Sequence, residues 1–290
     1  MKTKHHYVFR QYLRAWSNND KITVTRLGKT FTTELMNIAQ QRYFYRVSEL
    51  TSTDVEFIKK FAINHSDSVL AELNAGWIDM FMKPQLIKQN LLSRGIDVDK
   101  VDKLMKPLFI EFEENFHASI EGGAVSYINS LLKYELSIFD EKENFYDFVY
   151  FLSVQLFRTK KLKDNFIKLS PEYERSMLER TWNVISHVFA TNVSYELSFG
   201  GYSIVILKNK SSQKFITSDQ PVINTFAYGK NIVHDNSVEL YYPLSPEVSI
   251  LLSKKVSEHA ITEITSEQVE YYNELIRYFH YEIIFHSNRK

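Results

Sequence analysis

The chain has 290 residues, 44% of them hydrophobic and 24% charged, a globular balance that excludes overall disorder. It contains no cysteine, so disulfides, thiolate nucleophiles, iron–sulfur clusters and cysteine-ligated zinc are excluded together. Its 35 basic and 35 acidic residues cancel, so net charge gives no argument for a nucleic-acid partner.

The opening MKTKHHYVFRQYLRAW has no uninterrupted apolar core of the kind a signal peptide needs. No apolar run reaches the length that spans a bilayer, so a cytoplasmic protein without a membrane partner is expected. KITVTRL, residues 21–27, alternates as a short strand. Thr53-x-x-Glu56 reads as a capping box opening a helix, with Val55, Ile58, Ala62, Val69 and Leu73 on one face. Helices are expected near 84–93, 99–121 and 124–137, broken at 93–95 and at the pair Gly122-Gly123. The stretch 144–168 keeps helical period through Phe148, Phe151, Leu152, Gln155, Leu156 and Leu162. Ser170-Pro171-Glu172 then supplies an N-cap with proline in the first turn, for a helix to about Thr191.

After Asn192 the pattern turns to strands. SYELSF and YSIVILK flank Gly200-Gly201 as a hairpin. KFIT (214–217), VELYYP (238–243) and VSILLS (248–253) continue the series. Thr265-x-x-Gln268 caps a helix through Val269, Tyr272, Leu275 and Ile276, and YEIIF (281–285) closes the chain as a strand. This layout predicts the α+β class, with a helical region over about 53–192 and a mainly antiparallel, strand-rich region over about 193–290. The strand near the N-terminus is expected to join that C-terminal sheet.

Three groups of polar residues are candidates for chemistry. His5, His6, Arg10 and Arg14 crowd the N-terminal segment. In an extended backbone His5 and His6 point to opposite faces, so the pair does not chelate one metal. One imidazole facing a pocket would serve as general base or phosphate partner, because its pKa lies near working pH; the bland alternative is a hydrogen-bonded core histidine. Ser218-Asp219-Gln220-Pro221 leaves a carboxylate at the end of an apolar strand, suited to a site or to a simple Asx-turn. Gln155-x-x-Arg158 shares a helix face among large apolar neighbours. A guanidinium buried there needs an anion, which Asp219, another carboxylate or a ligand phosphate would supply. There is no glycine-rich phosphate loop, no G-x-S-x-G elbow and no H-E-x-x-H pair, and no metal or cofactor is expected.

Taken in order, these motifs resemble a bacterial family filed as a domain of unknown function, number four-two-three-eight. The resemblance rests on His5-His6-Tyr7-Val8, then Tyr12, Leu13, Arg14 and Trp16, then Gln155-x-x-Arg158. It continues through Phe215-Ile216-Thr217-Ser218-Asp219-x-Pro221, Tyr242-Pro243-Leu244-Ser245-Pro246 and Asn273 in the last helix. The proline that follows Tyr-Val in that family is Phe9 here. The resemblance runs along nearly the whole chain and implies one integrated domain over 1–290; it implies no activity, substrate or cofactor.

Two functional readings follow. In the first, Arg10, Arg14, Gln155, Arg158, Ser218 and Asn273 bind a ligand or partner, anionic by the company of the arginines. In the second, the protein is a hydrolase acting on a phosphate-bearing substrate or nucleic acid, with His5 or His6 as base and Asp219 orienting it. A purely structural network pinning the N-terminus to the sheet is the third possibility.

Overall fold

The computed structural model describes residues 2–229 and 238–287. The N-terminal segment forms strand β1 (Lys4–His6), the short helix α1 (Arg10–Leu13), and strands β2 (Lys21–Arg26), β3 (Lys29–Glu34) and β4 (Gln40–Arg42). A helical block follows: α2 (Ser52–Ile58), α3 (Ser68–Ser93), α4 (Val98–Leu132), α5 (Lys142–Phe157), α6 (Lys160–Leu169) and α7 (Arg175–Phe199). The remainder is strand-rich, with β5 (Ser203–Asn209), β6 (Thr217–Ser218), β7 (Ile223–Asn224), β8 (Leu240–Pro243), β9 (Val248–Ser253), β10 (Ala260–Ile264), helix α8 (Ser266–Phe279) and β11 (Ile283–His286). The class is α+β.

A five-stranded sheet runs β10-β5-β9-β8-β7, antiparallel except for the parallel pair β10–β5. Every residue of β9 is buried, because helices and loops cover both of its faces. A second sheet runs β3-β2-β11-β6, all antiparallel, so the early strand β2 lies beside the last strand. The third sheet is the pair β1–β4.

Several expectations need correction. Helix α7 starts at Arg175 behind Glu174, not at Ser170-Pro171, and Val69 and Leu73 are exposed on α3 and do not continue the apolar face of α2. The first helix of the block starts earlier, at Ser52, because Thr51 rather than Thr53 caps it: its hydroxyl accepts the Asp54 N–H and the Asp54 carboxylate accepts the Thr51 N–H. Arg180 also grips Asp54 with two bonds of 3.0 and 2.9 Å, so tertiary contact fixes that helix start. Gly122-Gly123 do not break α4; both are exposed, and Ala124, Tyr127 and Leu131 carry the buried stripe past them. SYELSF is not a strand but the last turns of α7, whose Ala190, Ser194 and Leu197 are buried at helical spacing. Gly201, at φ 76°, then turns the chain from helix into β5. Finally, the 144–168 stretch divides at Arg158-Thr159, where the Thr159 hydroxyl accepts the Leu162 N–H and caps a new helix.

Candidate functional site

Strand β1 sets the geometry. It pairs with β4 in the register His5↔Gln41 and His6↔Gln40, so the two imidazoles leave on opposite faces. His5 is fully buried: its Nδ1 accepts the Tyr45 N–H at 2.9 Å and its Nε2 lies 3.1 Å from the Lys2 carbonyl. The backbone donor at Nδ1 places the ring proton on Nε2. His6 instead lines a cleft of about 350 Å³, with its Nδ1 buried and without a hydrogen-bond partner. Burial and the charges of Arg10, Arg158 and Lys4 push the His6 imidazole down to about 4, against a backbone contact at Ile38 that raises it, so it is neutral at pH 7.

The same cleft is lined by Lys2, Lys4, Arg10 and Arg14 on the N-terminal segment, by Glu114, His117 and Glu121 on α4, and by Arg158. Arg14 pairs with Asp20 at 3.3 Å and Arg10 rests on the Met36 sulfur. The Lys2 N–H donates to the Glu111 carboxylate at 2.6 Å and ties this segment to α4.

Arg158 ends α5, and its guanidinium is buried. Nε donates to the Tyr45 hydroxyl at 2.8 Å, Nη2 donates to the His6 carbonyl at 2.8 Å, and Nη1 pairs with Glu121. The anion that balances this buried charge is therefore Glu121 and not Asp219. Burial works against the guanidinium, but Tyr45 and Glu121 outweigh it and hold its proton more tightly than usual. Burial pushes Glu114 up to about 7, against the pull of Arg158 and assisted by the charge of Glu121.

Behind this wall lies a group that the sequence reading did not single out. Glu113 and His117, one turn apart on α4, meet His187 of α7, and all three are buried. Asn183 donates to the second oxygen of Glu113. Burial works to raise Glu113, yet His117 and His187 bring it down to about 2; burial and the Arg158 charge push His117 down to about 3. The rings belong to an aromatic column: His5 on Tyr45 at 5.8 Å, Tyr45 on His117 at 4.5 Å, His117 on His187 at 5.3 Å, His187 on Trp77 at 4.8 Å. The one sequence signal was the i,i+4 spacing of Glu113 and His117; nothing local marks His187.

The structure thus gathers His6, Arg10, Arg14 and Arg158 on one cleft and places His5, Gln155, Ser218, Asp219 and Asn273 elsewhere. Gln155 is buried one turn before Arg158, its Nε2 without a partner. Asp219 is turned toward the last strand: Oδ1 accepts the Tyr281 N–H at 2.8 Å, and Oδ2 accepts those of Glu282 and Ile283 at 2.7 and 3.1 Å. Burial raises its carboxyl above the ordinary range while those amides and His280 oppose the rise. Ser218 closes a local turn with Gln220, and Asn273 ties α8 to the segment before β6 through the Ile216 N–H and the Lys214 carbonyl. Gln220 links the two regions, accepting the Thr159 hydroxyl at 2.5 Å and donating to the Leu156 carbonyl at 3.1 Å.

A wider groove of about 1190 Å³ runs along α6 and the start of α7, lined by Lys160, Lys163, Lys168, Arg175 and Arg180. Three of these five cations are matched, Lys160 with Asp164 and Glu282, Arg175 with Glu179 and Arg180 with Asp54, and among the described residues its lining has no imidazole like that of His6.

Fold and cleft together define an α+β protein with a cation-edged cleft whose inner wall is a buried network of carboxylates, imidazoles and one arginine. Among the described residues no helix is long and apolar enough to cross a membrane. The chain belongs to the family described as Protein of unknown function (DUF4238), whose family model matches residues 4–290. No curated protein and no solved structure matches it.

Proposed function

We propose that the protein binds a small anionic, phosphate-bearing ligand in the cleft beside His6. The observation that carries this reading is the pairing of a cationic rim, Lys2, Lys4, Arg10 and Arg14, with a neutral imidazole whose buried Nδ1 has no partner. A buried polar atom left unsatisfied is uncommon and is expected where a ligand completes the hydrogen bonding. Cations around a partly enclosed, low-dielectric cleft attract an anion far more strongly than they would on an open surface. A volume of about 350 Å³ suits a small molecule and is too small for a duplex. Arg158 is chiefly a positioning residue in this account: three of its five N–H donors go to Tyr45, Glu121 and the His6 carbonyl, which keeps β1 in its place.

Hydrolysis of the bound ligand is the second reading: the His6 imidazole is neutral at pH 7, but held down to about 4 it is a weak acceptor for the proton of an attacking water, so binding without turnover is the preferred reading. We also infer that the chain acts as one domain, in the cytoplasm. Support for the single domain comes from the largest core cluster, which draws on the N-terminal segment, α4, α5, α7 and the sheet strands alike.

Calorimetric titration with inorganic phosphate and pyrophosphate tests the binding. The wild type should bind with an affinity that falls as salt rises, and a Lys4→Ala/Arg10→Ala variant should lose at least tenfold. Equal affinity in the two proteins would refute the assignment to this cleft.

A further inference from the structure

We infer that Glu113, His117 and His187 form a site for one divalent transition-metal ion of the zinc class. Two helices build it. Glu113 and His117 stand a turn apart on one face of α4, and His187 reaches across from α7. The Nε2 atoms of both imidazoles lie 3.4 Å from the same carboxylate oxygen, Oε1 of Glu113. Neither nitrogen makes a hydrogen bond at that separation. The distance suits a shared ion instead: two ligands each 2.0–2.1 Å from a tetrahedral zinc stand about 3.4 Å apart. All three donor atoms fall within 4.8 Å of one another.

Burial is a second observation. His117 and His187 are 2% and 1% exposed and none of their ring nitrogens has a hydrogen-bond partner, so a bound ion would take up the two Nε2 lone pairs. Core histidines that serve packing alone normally satisfy at least one nitrogen. Asn183 occupies the other oxygen of Glu113, which orients the carboxylate and leaves Oε1 for the ion. Tyr45 packs tilted against His117 and Trp77 stacks on His187, which restricts both rings. Three protein ligands leave a fourth position for water or a ligand atom, as reactive zinc sites do. His117 also lines the cleft, so the ion would lie just behind the proposed anion site.

Metal binding by the full chain tests this without any anionic ligand, so it stands or falls apart from the phosphate reading. The chelator-treated protein is titrated with Zn²⁺ against a chromogenic chelator and with Co²⁺ by visible absorption. One equivalent should bind, Co²⁺ should give the intense absorption of a four- or five-coordinate site, and Zn²⁺ should raise the melting temperature. Glu113→Gln and His187→Gln should each weaken binding at least tenfold, while His65→Gln on the surface leaves it unchanged. Should either variant fail to fold, the wild-type stoichiometry decides. A wild type that binds neither ion at micromolar concentration overturns the proposal, and so does full affinity in a His117→Gln/His187→Gln variant.

Discussion

Arg158 and His6 meet through the backbone: Nη2 of the arginine donates to the His6 carbonyl at 2.8 Å, while the His6 ring turns the other way into the cleft. The arginine therefore positions the strand that carries the imidazole. Removing it should damage the fold first and the site as a consequence.

Replacing Arg158 with Met strands the Glu121 carboxylate, the Tyr45 hydroxyl and the His6 carbonyl. An uncompensated buried charge costs roughly 3–5 kcal/mol, so the urea midpoint should fall steeply. The Arg158→Met/Glu121→Leu variant should recover much of that loss, because both charges are gone. A single variant with wild-type stability would show that the network is not holding β1.

Asp219→Ala frees the N–H groups of Tyr281, Glu282 and Ile283 at the entry to β11. We expect a loss of about 2–4 kcal/mol from these orphaned donors. His6→Ala, which removes a side chain already lacking a partner at Nδ1, should cost less than about 1 kcal/mol. Denaturation midpoints for the two variants check the contrast, and the reverse order would contradict it.

The Asp54–Arg180 pair predicts a behaviour in acid. Burial works to raise the Asp54 carboxyl, but Arg180 and the Thr51 cap outweigh it and leave it below the ordinary value. Its folded pKa is thus depressed, so its stabilisation is complete above about pH 4, the unfolded value, and is lost as pH falls through the folded one. The stability gap between wild type and Asp54→Asn should be flat from pH 7 to 5 and close below pH 4. A gap that stays constant into strong acid would mean Asp54 contributes nothing through its charge.

For His6 the depressed pKa has the opposite consequence for the charged form, since the folded protein resists the proton. The unfolded imidazole begins to bind a proton near pH 6.5 and the folded one only near 4. Between those values His6 should remove roughly 1 kcal/mol of stability per pH unit on acidification. His6→Gln should show a shallower loss over that window, and identical slopes would place the His6 ring in solvent.

Much of the fold was legible because it rests on local signals. The helical period through Phe148, Phe151, Leu152 and Gln155, the apolar run VSILLS and the Thr265–Gln268 capping box each specify an element before tertiary contacts act. SYELSF misled because Tyr and Phe favour strands by propensity, while the buried Ala190, Ser194 and Leu197 keep it helical. At the site, the opposite faces of His5 and His6 followed from strand geometry alone. The partner of Arg158 did not, because Glu121 reaches it only through the packing of α4 against the end of α5. His187 was out of reach for the same reason: its meaning depends on which face of α4 it meets. Gln220, the unspecified position inside Ser-Asp-x-Pro, links that loop to the helices, which no pattern of residue types announces.

The most direct test of the central claim is a crystal structure of the protein grown with pyrophosphate. The account predicts density for the anion in the cleft between His6 and Arg10, within hydrogen-bonding distance of the Arg10 guanidinium and against the His6 ring, with Arg158 still bound to the His6 carbonyl. Density along the basic groove at Lys163 and Lys168, or an empty cleft at saturating pyrophosphate, would contradict it.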